Sequence, residues 1–286
     1  MSRVLIFTLL LCWHSIVRGD NFADAISDFD NRDYQNAASK FETLYSKNSK
    51  DVDLLFYLAR SQYKVAKYKD ARSTIDQLIE LDPAHLDAHY LAGIVYMGLL
   101  GEVNLFRKLG MVKSALKSWK KVVELDAEHV LANYAVFSFY LNAPGIVGGD
   151  MDKALDILKT LESISPPYAE LANGVLNSKL ENFTEAEKHY LKATEMITDR
   201  ASPFFAIAQF YFQNEKFEKS LAALERYQQA KKIWHDPGDA IAFYFLGSIH
   251  ANLGNTDLAK ENLDRALSSY PNKQIRGLIE DSLDDL

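Results

Sequence analysis

Apolar positions recur along this chain with a helical period. Four segments align: 71–83 (ARSTIDQLIELDP), 115–127 (ALKSWKKVVELDA), 154–166 (ALDILKTLESISP) and 259–271 (AKENLDRALSSYP). Each opens with alanine, carries a large apolar residue four positions on, and an apolar or small one three beyond that. That spacing draws one stripe along a helix of 3.6 residues per turn and leaves the polar residues on the other faces. Pro83, Pro166 and Pro271 mark where three of these helices have ended. A second helical pattern lies upstream, as in Leu55-Phe-Tyr-Leu58-Ala59, His89-Tyr-Leu-Ala92-Gly93 and Phe243-Tyr-Phe-Leu246-Gly247. Ala or Gly at its end lets a neighbouring helix come close. The pattern predicts helix pairs and an all-α chain.

The pairing, at a period of about 34 residues, resembles the tetratricopeptide repeat, with its W-x2-L-G-x2-Y…A-x3-F…A…P signature. The best copies run from Val52 to Pro83 and from Ala240 to Pro271. The resemblance implies a right-handed α-solenoid of about seven helix-turn-helix repeats, at roughly 20–50, 51–84, 85–128, 129–167, 168–200, 201–237 and 238–272. Residues 273–286 then form a C-terminal capping helix, with Ile275, Leu278, Ile279 and Leu283 on one face toward the last repeat. The first repeat is poor, since Asp24 and Asp28 stand where large residues are usual. Tyr34, Ala37, Phe41 and Leu44 fit its second helix, and it reads as the N-terminal cap.

Two repeats break the period. Repeat three carries about ten extra residues around 98–107, and repeat four about five around 142–149 (NAPGIVGG). Both fall at the turn between the two helices of a repeat, so they belong to one edge and should be neighbours in space. With its APGIVGG turn, the middle of the chain is similar to a group of exported bacterial tetratricopeptide proteins that share an APGxVGG turn. That resemblance implies a periplasmic binding protein and brings no activity with it.

Residues 1–19 read as a signal peptide: Arg3, an apolar run from Val4 to Trp13, then Val17-Arg18-Gly19. The run is too short to cross about 30 Å of hydrocarbon. Cleavage near Gly19 makes the mature chain periplasmic or secreted, with no stable membrane anchoring expected. The single cysteine, Cys12, leaves with the peptide. No disulfide, Cys-ligated metal or thiol nucleophile is then expected. Acids outnumber bases 39 to 32, for a net charge of −7. No block of Lys and Arg is read on one segment, which argues against nucleic acid as a partner; losing Arg3 and Arg18 with the peptide leaves 30 bases against 39 acids, a mature net charge of −9 that discourages binding to anionic lipid.

Among candidate loops, 143–149 departs furthest from helix. A phosphate-cradling loop needs Gly-Lys-Ser/Thr, whereas Asp150 and Met151 follow Gly149. Pro144 is expected to end a helix, the glycines to supply turns with positive φ, and Asp150 to cap the next helix. Pro144, Gly145, Gly148 and Gly149 remain candidates for a ligand or partner contact. His85 and His89 are four apart, but no Glu follows His85, and His129 occupies the equivalent place to His85. Solvated or capping histidines are favoured over a metal pair. His250 is expected to pack at the groove wall, and Asn182-Phe-Thr184 is a glycosylation sequon. No G-x-S-x-G is present. The reading is of a non-enzyme with no cofactor and no metal.

The family resemblance further implies a concave groove lined by the first helix of each repeat. Carried over position by position, its first row is Phe56, Tyr90, Tyr134, Leu171, Phe205 and Tyr244. The second is Arg60, Ile94, Ser138, Val175, Gln209 and Ser248, and the third includes Tyr63, Ser178 and Phe212. Expected partner-binding residues are Phe56, Arg60, Tyr63, Tyr90, Tyr134, Phe205, Gln209, Phe212 and Tyr244, because aromatic anchors bury much area at low entropic cost. The expected function is a periplasmic protein-protein interaction scaffold that binds a peptide or helix of another cell-envelope protein. The alternative is a binding module for a small apolar ligand or an envelope polymer at the APGIVGG loop and its neighbouring insertion. The sequence leaves the oligomeric state open.

Overall fold

In a computed structural model, residues 21–286 are described and are helical throughout apart from their turns. The expected signal peptide lies outside the described residues. The chain packs as two compact units that meet in sequence at Leu99 and Leu100.

The first unit contains α1 (residues 21–30), α2 (Tyr34–Tyr45), α3 (Val52–Lys64), α4 (Tyr68–Leu81) and α5 (Leu86–Gly98). The second contains α6 (Leu105–Leu125), α7 (Val130–Asn142), a short 3-10 turn (Gly145–Val147), α8 (Met151–Ile164), α9 (Pro166–Lys179) and α10 (Phe183–Met196). It continues with α11 (Ser202–Gln213), α12 (Phe217–Gln229), α13 (Asp239–Asn252), α14 (Thr256–Ser268) and α15 (Lys273–Asp284). Within the first unit each helix from α2 to α5 packs on the next and α3 also reaches α5; within the second, each helix from α6 to α15 packs on the next and α7 also reaches α9. Each unit is thus a stack of helix-turn-helix repeats, the architecture of an α-solenoid, with first helices forming one layer and second helices the other.

The stripe seen in the sequence is the core. Ala71, Ala115, Ala154 and Ala259 are fully buried, and the residues four and seven further on are buried as well: Ile75 and Leu78, Trp119 and Val122, Leu158 and Leu161, Leu263 and Ala266. Small residues set how closely the layers meet. A Cβ on Gly247 would lie 2.6 Å from Leu263 Cγ, and one on Gly174 would lie 2.8 Å from the Tyr190 ring.

Five of the turns inside repeats share one geometry. Arg32, Ala66, Glu181, Glu215 and Gly254 have φ of 66°, 58°, 60°, 56° and 76°. The next N–H in each case reaches back five residues: Lys67 to the Gln62 carbonyl at 2.8 Å, Asn182 to Asn177 at 2.9 Å, Lys216 to Tyr211 at 2.9 Å. This is the Schellman closure of a first helix, and it normally takes glycine at the left-handed position. Between repeats the closure differs. Asp82 and Asp126 accept from the N–H two residues on, at 3.2 and 3.0 Å, and His85 and His129 then cap α5 and α7 through Nδ1.

The extra residues of repeat three become a 3-10 turn and about two additional turns at the start of α6, which is 21 residues long. α6, the helix that follows the first insertion, packs against the Gly145–Val147 turn of the second. The other end of the second unit returns close to its start: a Cβ on Gly101 would lie 3.4 Å from the Gln274 backbone nitrogen. In α15, Ile279 is buried with Leu263 and Ala266, and Ile275 and Leu283 pack alongside. Leu278 departs from the expected face and stays 40% exposed.

Glu187 of α10 ties three helices together. It accepts from Lys219 Nζ at 2.6 Å, from the Tyr211 hydroxyl at 2.9 Å and from Lys216 Nζ at 3.1 Å. Led by the Lys219 contact, these bonds outweigh partial burial and lower its pKa to about 2.

Two predictions follow from these turns and this node. Glu181→Gly and Glu215→Gly, at exposed positions, each raise stability by about 0.5–1 kcal/mol, because relief of the left-handed backbone exceeds the added entropy of the unfolded chain. Urea unfolding should show both midpoints shifted upward. Because the Glu187 pKa is depressed on folding, its contribution is present above the unfolded carboxyl pKa of 4.5 and fades as pH falls toward about 2. Glu187→Gln should therefore cost about 1–2 kcal/mol at pH 7, allowing for screening of the half-exposed lysines, and almost nothing near pH 2.

Candidate functional site

In the first unit, the expected groove residues form an aromatic cluster around a cation. Arg60 is only 9% exposed, and its guanidinium lies over the rings of Phe29 at 4.4 Å, Tyr57 at 5.0 Å and Phe56 at 5.1 Å. Burial pulls its pKa below the usual value. Phe56 also meets the His85 ring at 5.3 Å. Tyr63 packs on Tyr68 at 5.6 Å, and burial pushes its hydroxyl pKa well up. Tyr90 is half-buried on α5. Arg60 is therefore a packing cation held by π faces rather than a guanidinium standing open in a groove.

In the second unit, several row residues serve the core. Phe205 is 5% exposed and touches the Tyr227 and Phe245 rings at 5.3 and 5.7 Å. Phe212 lies edge-on to Phe245 at 5.1 Å. Tyr244 packs beside the cluster under α15. Tyr134 stands edge-on to Tyr168 at 5.7 Å, and burial raises its hydroxyl pKa strongly.

The same helices nevertheless enclose a pocket. A cavity of about 390 Å³ opens on the inner layer of the second unit, walled by α7, α9 and α11 with Tyr190 contributed by α10. Tyr134, Val175, Ser178 and Gln209, four positions of the expected rows, line it. The pocket also takes in Asn142, Lys179 and Gln213, which the row pattern did not reach because they sit at the helix ends. Rings and aliphatic groups form its walls, while a hydroxyl, an ammonium and three side-chain amides reach into it. Amides offer both donors and acceptors, so the arrangement suits a peptide backbone better than a single charged group.

The 143–149 turn is explained by backbone demands. Gly148 has φ +110°, and a Cβ on Gly149 would lie 1.7 Å from the Ala143 carbonyl oxygen. Gly149 is thus required by close approach and not by a positive φ. Gly145 meets nothing within 4 Å of a built Cβ. Pro144 precedes the 3-10 turn, and Asp150 caps α8 by accepting from the Lys153 N–H at 3.2 Å. The histidines are likewise occupied: His85 caps α5, while His89 Nε2 lies 2.9 Å from the Pro83 carbonyl. At the position equivalent to His89, Asn133 donates to the Ala127 and His129 carbonyls. His189 pairs with Glu170 at 2.6 Å.

One expectation is corrected. The basic residues are not evenly dispersed, because α6 carries Arg107, Lys108, Lys113, Lys117, Lys120 and Lys121 with only Glu124 against them. The chain-wide acidic excess hides this helix, which a charge count in windows of helix length would have revealed.

Comparison with known proteins agrees with the architecture. Residues 28–98 and 205–273 each match a tetratricopeptide repeat model, one stretch in each unit, so both units carry such repeats. A tetratricopeptide repeat protein from Parabacteroides merdae superposes with a TM-score of 0.56 at 16% identity, covering 93% of this chain and 98% of that one. A thermophilic protein of the same repeat class from Thermus thermophilus gives 0.56 at 20% identity, over 68% of this chain and 99% of its own. At these identities the likeness concerns the fold. In sequence, the chain is 26% identical over 176 residues to the CTR9 homolog of Arabidopsis thaliana, covering 57% of this chain and 15% of that protein.

The turn itself is open to a direct check. Gly149→Ala should lose about 2 kcal/mol or more, since backbone must move to admit the methyl group, while Gly145→Ala should stay within about 0.5 kcal/mol of the parent. Thermal unfolding of the two variants side by side reads this.

Proposed function

We propose that this chain is a non-catalytic protein-interaction scaffold, exported to the cell envelope, that grips an extended segment of another protein in the pocket of its second unit. The observation that carries the reading is the pocket itself, because its wall is built from three successive first helices, α7, α9 and α11. A stack of repeats presents such a surface continuously, so a segment held by one repeat meets the next without a gap. Two further points support it. Tetratricopeptide repeats are, as a class, protein-binding modules, and both units carry them. The pocket also combines apolar walls of Val175, Tyr134 and Tyr190 with the amides of Gln209 and Gln213, which would hold side chains and backbone of an extended peptide respectively. Export rests on the apolar run after Arg3 and the small residues before Asp20.

The aromatic row enters this reading only in part. Tyr134 borders the pocket, whereas Phe205 packs into the core of the second unit and Arg60 into the aromatic cluster of the first. Tyr134→Ala or Phe205→Ala would therefore confuse folding with binding, and variants at the pocket surface separate the two.

A photo-crosslinking amino acid at Gln213, with Lys260 on α14 as control, tests the proposal in envelope extract from the source cells. A specific protein should crosslink at Gln213 and not at Lys260, and Val175→Glu should lower its yield about tenfold without changing the circular dichroism spectrum. Equal labelling at both positions, or no specific labelling at Gln213, would remove the pocket as the partner site.

A further inference from the structure

We infer that α6 and the adjoining Gly145–Val147 turn form a docking face for an anionic lipid surface, which the second unit meets peripherally. The apolar side chains of this face are among the most exposed of the described residues. Phe106 is 87% exposed, Ile146 82% and Leu105 72%. Phe106 and Leu105 lie on the additional turns of α6, and Ile146 lies on the turn that packs against that helix. They stand out as protrusions. A protein partner must supply a matching hole for each, whereas the soft interface of a bilayer accepts protruding apolar groups as they are.

The charge of the helix fits the same occupant. Phe106, Lys113, Lys117 and Lys120 are spaced i, i+7, i+11 and i+14, which places them on one face of α6, and all four are exposed. At 1.5 Å rise per residue the lysine row begins about 10 Å from Phe106 and ends about 21 Å away. Arg107 is exposed beside the apolar tip. Several other second helices pair outer bases within the helix, as in Lys159–Asp156 at 2.9 Å, Lys188–Glu185 at 3.0 Å and Arg265–Glu261 at 3.9 Å. On α6 the pairing is confined to Lys121 and Glu124, at 3.6 Å, near its end. Glu102 precedes α6 in the chain, and Asp150 and Asp152 follow the adjoining turn, but Asp150 pairs with Lys153 at 2.7 Å, and the bases of α6 outnumber these acids. An acidic chain that concentrates unneutralised cations around an apolar tip matches the headgroups and interface of an anionic leaflet. No helix of the described residues is long and apolar enough to cross a membrane, so the contact is one of docking.

Co-sedimentation of the full chain with vesicles of phosphatidylcholine containing about 30 mol% phosphatidylglycerol, against phosphatidylcholine alone, tests this at two salt concentrations. The anionic vesicles should bind at least about tenfold more tightly, and the difference should shrink at high salt. The N-terminal apolar run is common to every variant, so the α6 contribution is read from substitutions. Phe106→Ser with Ile146→Ser, and separately Lys113→Gln with Lys117→Gln and Lys120→Gln, should each remove most of that tenfold preference. These exposed positions leave the fold intact, checked by unchanged thermal unfolding. Phe106→Trp should show a blue-shifted emission with anionic vesicles and none with neutral ones. Equal binding to both vesicle types, preference unchanged in both variant sets, or lysine-dependent binding to polyglutamate with none to vesicles would overturn the lipid assignment, the last in favour of an acidic protein.

Discussion

Close approach of paired helices over alanine and glycine is the constraint on which both units depend. Ala59, Ala92, Ala172 and Ala208 lie at the inner positions of first helices with almost no exposure, and glycine takes the same role where the partner is largest. Gly174 receives the Tyr190 ring, Gly247 receives Leu263, and Gly98 receives Tyr68, whose ring would lie 2.7 Å from an added Cβ. With the backbones this close, large side chains beside the small ones have only the gap between consecutive repeats to fill. That is where Phe205, Phe212 and Phe245 meet edge to face. The aromatic content of the first helices thus follows largely from the spacing of the layers, and only residues at the margin of each contact, such as Tyr134 and Gln209, are left to shape a surface.

The turns convert that spacing into a stack. A Schellman closure after the first helix reverses the chain in very few residues and starts the second helix one step later, so the partner falls at a fixed height. Four of these closures force a non-glycine residue into the left-handed region, which indicates that the geometry is imposed by packing more strongly than by local preference. Where the closure is replaced, the backbone finds another solution. The Gly145–Val147 turn closes through Gly148 N–H to the Gly145 carbonyl at 3.0 Å and through Asp150 N–H to the Tyr140 carbonyl at 2.9 Å. Its second and third glycines exist for that path.

Much of this was legible in the sequence. The alanine of each segment and the apolar residues four and seven positions later announced the core, and every one of them is buried. The equivalent places of His85 and His129 marked them as a repeat feature, solvated or capping, and both cap a helix. The candidate site was less legible, because a row at constant spacing records which face of a helix looks inward and not how deeply each side chain sinks. Arg60 stood in the row as a recognition cation, yet Phe29 of α1, far off in sequence, covers it together with Phe56 and Tyr57 of its own helix. Asn142, Lys179 and Gln213 reach the pocket from helix ends, where a repeat template has no position to offer. The additional turns of α6 were hidden because an insertion between two helices reads as loop until one of the helices is seen to extend through it.

That extension carries the most exposed large apolar side chain of the described residues, Phe106. α6 has 21 residues and α7, on which it packs, has 13, so α6 is longer by about 12 Å. Apolar residues in such a segment gain little by folding, since most of their area stays in water whatever the chain does. Leu105 and Phe106 are accordingly hard to explain by stability of the repeat stack. Polar residues would have served equally well there, and a helix that only filled a gap in the stack would have no reason to gather six bases against one acid. The regular repeats spend their apolar residues on each other; where the repeat is interrupted, those residues are turned outward, beside the charges that would steer them to a surface of opposite sign.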